Sequence, residues 1–208
     1  DLQRSLQQAV ELDVQHISIY GLQLEEGTVF ARQKEQGQLE LPDEEVVEQM
    51  YDYMTEELPQ QGYQRYEISN FAQPGFESRH NLGYWQDIPY VGLGAAAHSY
   101  WLGQRMEHVT DPASYIERMR AGKAVVRAEE PMTREIAMEE FAFLALRTIR
   151  GIDERAFAEK FGCTLREVYA ESIQRMVSKG FLAENEGFVY LTVQGMKYGN
   201  QVFEAFLL

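Results

Sequence analysis

Leu2, Leu6, Ala9 and Val10 recur at intervals of three and four, which predicts an amphipathic helix over residues 1–12. The run VQHISIYGLQL (14–24) that follows is rich in β-branched and aromatic residues and stops at Glu25-Glu26-Gly27, as a buried strand running into a loop does. A helix leading straight into a strand is half of a βαβ unit and predicts a parallel sheet. Thr28 is placed to cap a short helix to Gln36. Asp43, with Glu44 and Glu45 in the first turn, opens a longer helix to about Gln61 that Pro59 kinks or stops. Further strands are predicted over 64–68, 91–100 and 104–109. Asp111 before Pro112 starts another helix, which runs to about Met119 and closes near Gly122.

From Thr133 the pattern changes. Residues 133–149 predict a strong helix with Ala137, Phe141, Leu144 and Thr148 on one face. Gly151-Ile152-Asp153 caps a second helix over 154–161, and Thr164 caps a third over 165–179, closed by Gly180. Phe181-Leu182-Ala183 and Phe188-Val189-Tyr190-Leu191 flank Glu184-Asn185-Glu186-Gly187 as a hairpin, and Thr192 caps a last helix to Phe206. Three helices and a hairpin form the winged-helix pattern. The organisation expected is therefore one α/β region over 1–122, a linker over 123–132 and a winged-helix-like domain over 133–208.

That pattern invites a DNA-binding reading, and charge weighs against it. The chain carries 19 basic and 33 acidic residues, a net of −14. In the expected groove-reading helix, Arg166, Arg175 and Lys179 stand against Glu167 and Glu171, a net of 3 − 2 = +1. A DNA reader needs a basic face, and no basic patch occurs anywhere in the chain, so no nucleic-acid partner is expected. The single cysteine, Cys163, excludes an internal disulfide, an all-cysteine iron–sulfur site and a multi-cysteine zinc site, and fits a reducing cytoplasm. Residues 88–104 are uncharged but are broken by Gly92, Gly94 and Gly103 and carry His98, so they do not read as a membrane span.

Candidate chemistry concentrates in three motifs. They are YEISNFA (66–72), HNLGYW (80–85) and YVGLGAAAHS (90–99). His80 lies in a polar stretch and, taken alone, reads as a hydrogen-bonded surface histidine. Tyr84 and Trp85 beside it add flat faces of the kind a planar macrocycle stacks on, while a neutral imidazole can ligate iron. An aromatic pair fills a core as readily. Gly92-Leu93-Gly94 implies close approach of the backbone to a strand or a ligand, although no third glycine completes a dinucleotide motif. Glu67 is either a site acid or a structural acceptor that pins a loop. His16 and His108 read as structural or exposed, and Cys163 as a cap neighbour rather than a nucleophile. No Ser-His-Asp or Cys-His ordering stands out. No catalytic residue and no separate metal site are assigned.

The three motifs, in this order and spacing, resemble the radical S-adenosylmethionine family of oxygen-independent coproporphyrinogen III oxidases and the related haem chaperones. HISIYGLQLEEGT (16–28) and LRTIRGID (146–153) fit the same family, so the resemblance covers essentially the whole chain. The HNxxYW form at His80, Asn81, Tyr84 and Trp85 is similar to the chaperone branch. The family's CxxxCxxC loop, which holds a [4Fe–4S] cluster with S-adenosylmethionine on its open iron, is absent from this sequence. The resemblance thus implies the C-terminal part of a partial (β/α) barrel followed by a small winged-helix-like domain, unable alone to assemble the cluster.

Residue by residue, the resemblance implies that His80, with Asn81, Tyr84 and Trp85, binds haem or porphyrin. Tyr66 and Glu67 shape the same mouth. Gln23, Gly92, Gly94 and His98 match places that touch S-adenosylmethionine. The implied function is to bind haem and deliver it to a haem-requiring recipient, membrane-associated recipients included. The alternative is oxidative decarboxylation of coproporphyrinogen III by a 5′-deoxyadenosyl radical. An open sheet edge would favour pairing of two copies, so a homodimer is expected.

Overall fold

In the computed structural model, residues 1–128 and 132–208 are described, without the side chain of Ala128. Two compact units form, Asp1–Ser78 and Arg79–Leu208. The boundary expected over 123–132 lies inside the second unit. Within that stretch Val126–Ala128 forms a strand, and 129–131 lie outside the described residues.

In the first unit the order is α1 (Leu2–Glu11), β1 (His16–Ser18), α2 (Val29–Glu35), α3 (Glu44–Gln60), β2 (Gln64–Arg65) and β3 (Asn70–Ala72). The apolar stripe of α1 delivers Leu6, α3 delivers Leu58, and these close on Ile17, Tyr63 and Phe71 as the core. The Tyr63 hydroxyl donates to the Val14 carbonyl at 2.6 Å, so the ring is buried with its polar end satisfied. Thr28 caps α2 by accepting from the Ala31 amide, whereas Asp43 makes no side-chain bond to α3.

The sheet corrects the expectation of parallel pairing. Its strand order is β1-β3-β2, and β3 pairs antiparallel with both neighbours, with His16 and Gln64 each opposite Ala72. The two strands that follow helices do point the same way, but a short reverse strand stands between them. The expected strand over 14–24 also ends early, at Ser18. Beyond it, Tyr20 is 69% and Leu22 60% exposed, so their apolar character does not mean burial.

The second unit opens with α4 (Arg79–Trp85), over a stretch that the sequence marks as polar and assigns to no helix. A hairpin of β4 (His98–Trp101) and β5 (Gln104–His108) follows, then α5 (Pro112–Arg120) and β6 (Val126–Ala128). These strands form the antiparallel sheet β4-β5-β6. The strand predicted over 91–100 begins only at His98. Asp111 caps α5 as expected, accepting from the Ser114 amide at 2.7 Å.

Then come α6 (Arg134–Leu146), β7 (Ile152–Asp153), α7 (Glu154–Phe161), α8 (Leu165–Ser178), β8 (Leu182–Asn185) and β9 (Phe188–Leu191). The three helices and the antiparallel sheet β7-β9-β8 make the winged-helix-like arrangement. Thr164 and Glu167 form a reciprocal capping box on α8, and Gly162 ends α7 in the left-handed region. The buried face of α6 is Met138, Ala142 and Leu146, while Phe141 packs edge-on against Phe157 and Phe161. The last predicted helix is two, α9 (Val193–Lys197) and α10 (Gly199–Glu204), broken at Tyr198. Among the described residues no helix is long and apolar enough to cross a membrane.

Candidate functional site

Helix formation decides the geometry of the HNLGYW segment. Residues four apart on a helix share a face, so α4 brings His80 and Tyr84 together, with ring centres 4.6 Å apart and planes at 75°. Tyr84 in turn meets Tyr90 edge-on at 4.7 Å and 84°. The imidazole is exposed and the tyrosine beneath it half-buried, so the ladder runs from solvent inward. Asn81 is half-buried on the same helix.

Tyr84, Trp85 and Tyr90 also line a cavity of about 270 Å³, completed by Asp87, Ile88, Tyr100, Arg105 and Leu144. Arg105 donates to Glu140 through Nε at 3.0 Å and Nη2 at 2.7 Å, and its guanidinium lies 5.3 Å from the centre of the Tyr100 ring. The hydrogen bond to Glu140 raises the Arg105 pKa above its ordinary value, against the opposing effect of burial. Trp85 points its ring at another cation: the Arg147 guanidinium sits 4.5 Å from the ring centre. The Trp85 indole Nε1 and the Arg147 Nε are both buried and lack hydrogen-bond partners.

Two residues beyond this helix, Asp87 adopts a left-handed backbone (φ 56°) and pairs with Lys160 of α7. The Lys160 ammonium also lies over the rings of Phe141 and Phe161, 5.6 and 5.4 Å from their centres. Two cationic contacts thus hold α4 to α6 and α7.

The glycine pair divides by role. A Cβ on Gly92 would lie 2.1 Å from the His98 carbonyl oxygen, and the Gly92 amide donates to the Ser99 hydroxyl at 2.9 Å. Close approach is therefore made by the chain's own strand. Gly94 has a φ of 104° with open space around it, and its carbonyl lies 2.8 Å from His108 Nδ1. His98 is exposed at the start of β4, opposite Glu107.

The remaining expected residues belong to the first unit. Glu67 is fully buried: its Oε1 accepts from the Ser69 amide and from Asn70 Nδ2, both at 2.6 Å, while Oε2 has no partner. Tyr66 is buried with its hydroxyl 2.8 Å from His16 Nε2. Gln23 is exposed in the segment beyond β1.

Sequence reasoning passed over Tyr90, Tyr100, Arg105 and Arg147. Tyr90 and Tyr100 bracket the glycine motif and form an isolated antiparallel bridge. Nothing local marks Arg105, and Arg147 falls within LRTIRGID without a role of its own, since each reaches the cavity wall or its neighbour through tertiary packing. Cys163 lies 3.4 Å from Arg134 Nη2, near the end of α7. A thiolate-held [4Fe–4S] cluster does not fit this chain. It has one cysteine, and no group of three or more His, Cys, Asp or Glu able to hold a metal occurs among the described residues.

Comparisons agree with this architecture. The HemN C-terminal domain family matches residues 132–198. The haem chaperone HemW of Bacillus subtilis is 39% identical over 206 residues, covering 99% of this chain and 54% of that protein. HemW of Lactococcus lactis is 36% identical over 199 residues, covering 96% and 52%. Among solved structures, coproporphyrinogen III oxidase (HemN) from Escherichia coli, described as a radical SAM enzyme, superposes with a TM-score of 0.76 at 16% identity, over 98% of this chain and 50% of that one. At that identity the likeness shows the fold alone. The chain spans about half the length of the curated relatives it matches. It belongs to the HemN-like radical S-adenosylmethionine family, on the haem-chaperone branch, and corresponds to the C-terminal portion of its members.

Proposed function

We propose that this protein binds haem through His80 and hands it to haem-requiring recipient proteins, membrane-associated ones included, in the cytoplasm. One observation carries the reading: His80 is exposed on α4 with the edge of Tyr84 against it, which holds the ring while leaving it open to an incoming iron. The cargo is delivered rather than consumed, and a surface-facing ligand suits release. Tyr84 and Tyr90 supply apolar area beneath the ligand position. S-adenosylmethionine and the cluster belong to the reading through the longer relatives. Gln23, Gly94 and His98 are the residues of this chain proposed to face the former.

Haem titration tests the proposal. The wild-type chain is expected to shift the haem absorption band with a saturable, one-to-one endpoint, and His80→Ala to abolish the shift while the far-ultraviolet circular dichroism stays unchanged. An unaltered titration in His80→Ala rules the assignment out. Efficient conversion of coproporphyrinogen III by a longer protein containing this chain would favour the oxidase instead.

A further inference from the structure

Trp85 and Arg147 form a pair that the packing leaves incomplete. The guanidinium is stacked over the indole at 4.5 Å and lies 5.7 Å from the centre of the Phe143 ring. Arg147 forms no ion pair among the described residues, in contrast to Arg105, whose charge is met by Glu140. Indole Nε1 and guanidinium Nε are buried donors without acceptors. A buried donor left unpaired is costly, and the Arg147 side chain that carries one of them is half-buried. Two such donors lie in one stacked pair, and its indole member also lines a 270 Å³ cavity, so the fold supplies no acceptor for either while leaving open space beside Trp85.

We propose that the Trp85–Arg147 pair is a carboxylate-binding site, which takes an acid side chain of the ligand held at His80. The inference rests on the haem reading for the identity of that ligand. The tetrapyrrole's acid groups have the required chemistry: a delocalised anion with two acceptor oxygens, able to meet the indole N–H and the guanidinium together. Tyr84 touches His80 on one side and the cavity on the other, so iron ligation and acid anchoring share one wall.

Two measurements separate this proposal from the haem reading. First, haem and its dimethyl ester, in which the acid groups are capped, are titrated into wild-type, Arg147→Gln and Trp85→Phe chains. Wild type is expected to prefer the free acid by about tenfold to a hundredfold, the range of a charge-assisted hydrogen bond. Arg147→Gln should erase that preference, and Trp85→Phe, which keeps the ring and removes the N–H, should reduce it. A merely structural role would weaken acid and ester alike, and that result overturns the proposal.

Second, the chain has only two tryptophans, so Trp101→Phe assigns the two indole N–H resonances. Addition of propionate should move the Trp85 resonance saturably. Propionamide should not, and Arg147→Gln should abolish the response. An unmoved Trp85 resonance also overturns the proposal, and this readout needs no haem. If neither haem nor its ester binds wild type, the haem reading fails and the propionate titration still decides the acid site.

Discussion

Gly92 shows how a single missing side chain shapes the rim of the candidate site. Its backbone φ is ordinary, so the constraint is steric rather than conformational, and it comes from the His98 carbonyl. Gly92→Ala should destabilise the chain by about 1–3 kcal/mol, the usual cost of forcing atoms into filled space. Urea unfolding followed by tryptophan fluorescence measures it. Gly94→Ala should also destabilise, for a different reason: the strain of φ 104° in open surroundings. The glycine pair was visible in the sequence as a sign of close approach, but not which partner approached. Glu67 was legible in the same partial way, as an acid that pins a loop or serves a site. Its bonds to Ser69 and Asn70 supply the pinning, and the free oxygen leaves the second role open to test.

At the scale of elements, helix starts are legible in the sequence because their signals are local. Thr28, Asp111, Thr133, Thr164 and Thr192 each accept a backbone amide at the predicted helix start. Strand pairing is not legible in the same way because it depends on residues far apart in the chain. β3 has three residues, too few for an alternation to register, and it converts an expected parallel neighbour into an antiparallel one. Helix α4 was missed because Gly83 and the polar residues at its start suppress helical propensity, and its support comes from Arg147 and Lys160, far along the chain.

The capping box on α8 gives a pH test. The Thr164 backbone amide, and then its hydroxyl, hold the Glu167 carboxyl below its ordinary value. A group whose pKa is lowered on folding stabilises fully above its unfolded value, about 4.3, and loses that contribution as pH falls through the folded value. Glu167→Gln should therefore flatten the stability curve on the acid side and leave the neutral region free of any Glu167-linked slope, as read from thermal midpoints between pH 2 and 7.

For the whole molecule, charge overrides motif. The winged-helix arrangement is present, yet the net charge is −14, and Arg166 at the start of α8 is already engaged by Glu154 at 3.0 Å and Glu184 at 2.6 Å. Duplex DNA is expected to show no retardation or anisotropy change at about 50 mM salt, a condition that exaggerates phosphate contacts. A salt-dependent shift would restore the regulator reading. What the winged helix does instead is visible at α4, where the Trp85–Arg147 and Asp87–Lys160 contacts fasten the histidine-bearing turns to α6 and α7. Transplanting the six-residue motif into a foreign scaffold should consequently yield a floppy peptide that no longer holds the imidazole against Tyr84. If the proposed haem ligation at His80 holds, a portable version of it would have to travel together with the helices that brace it.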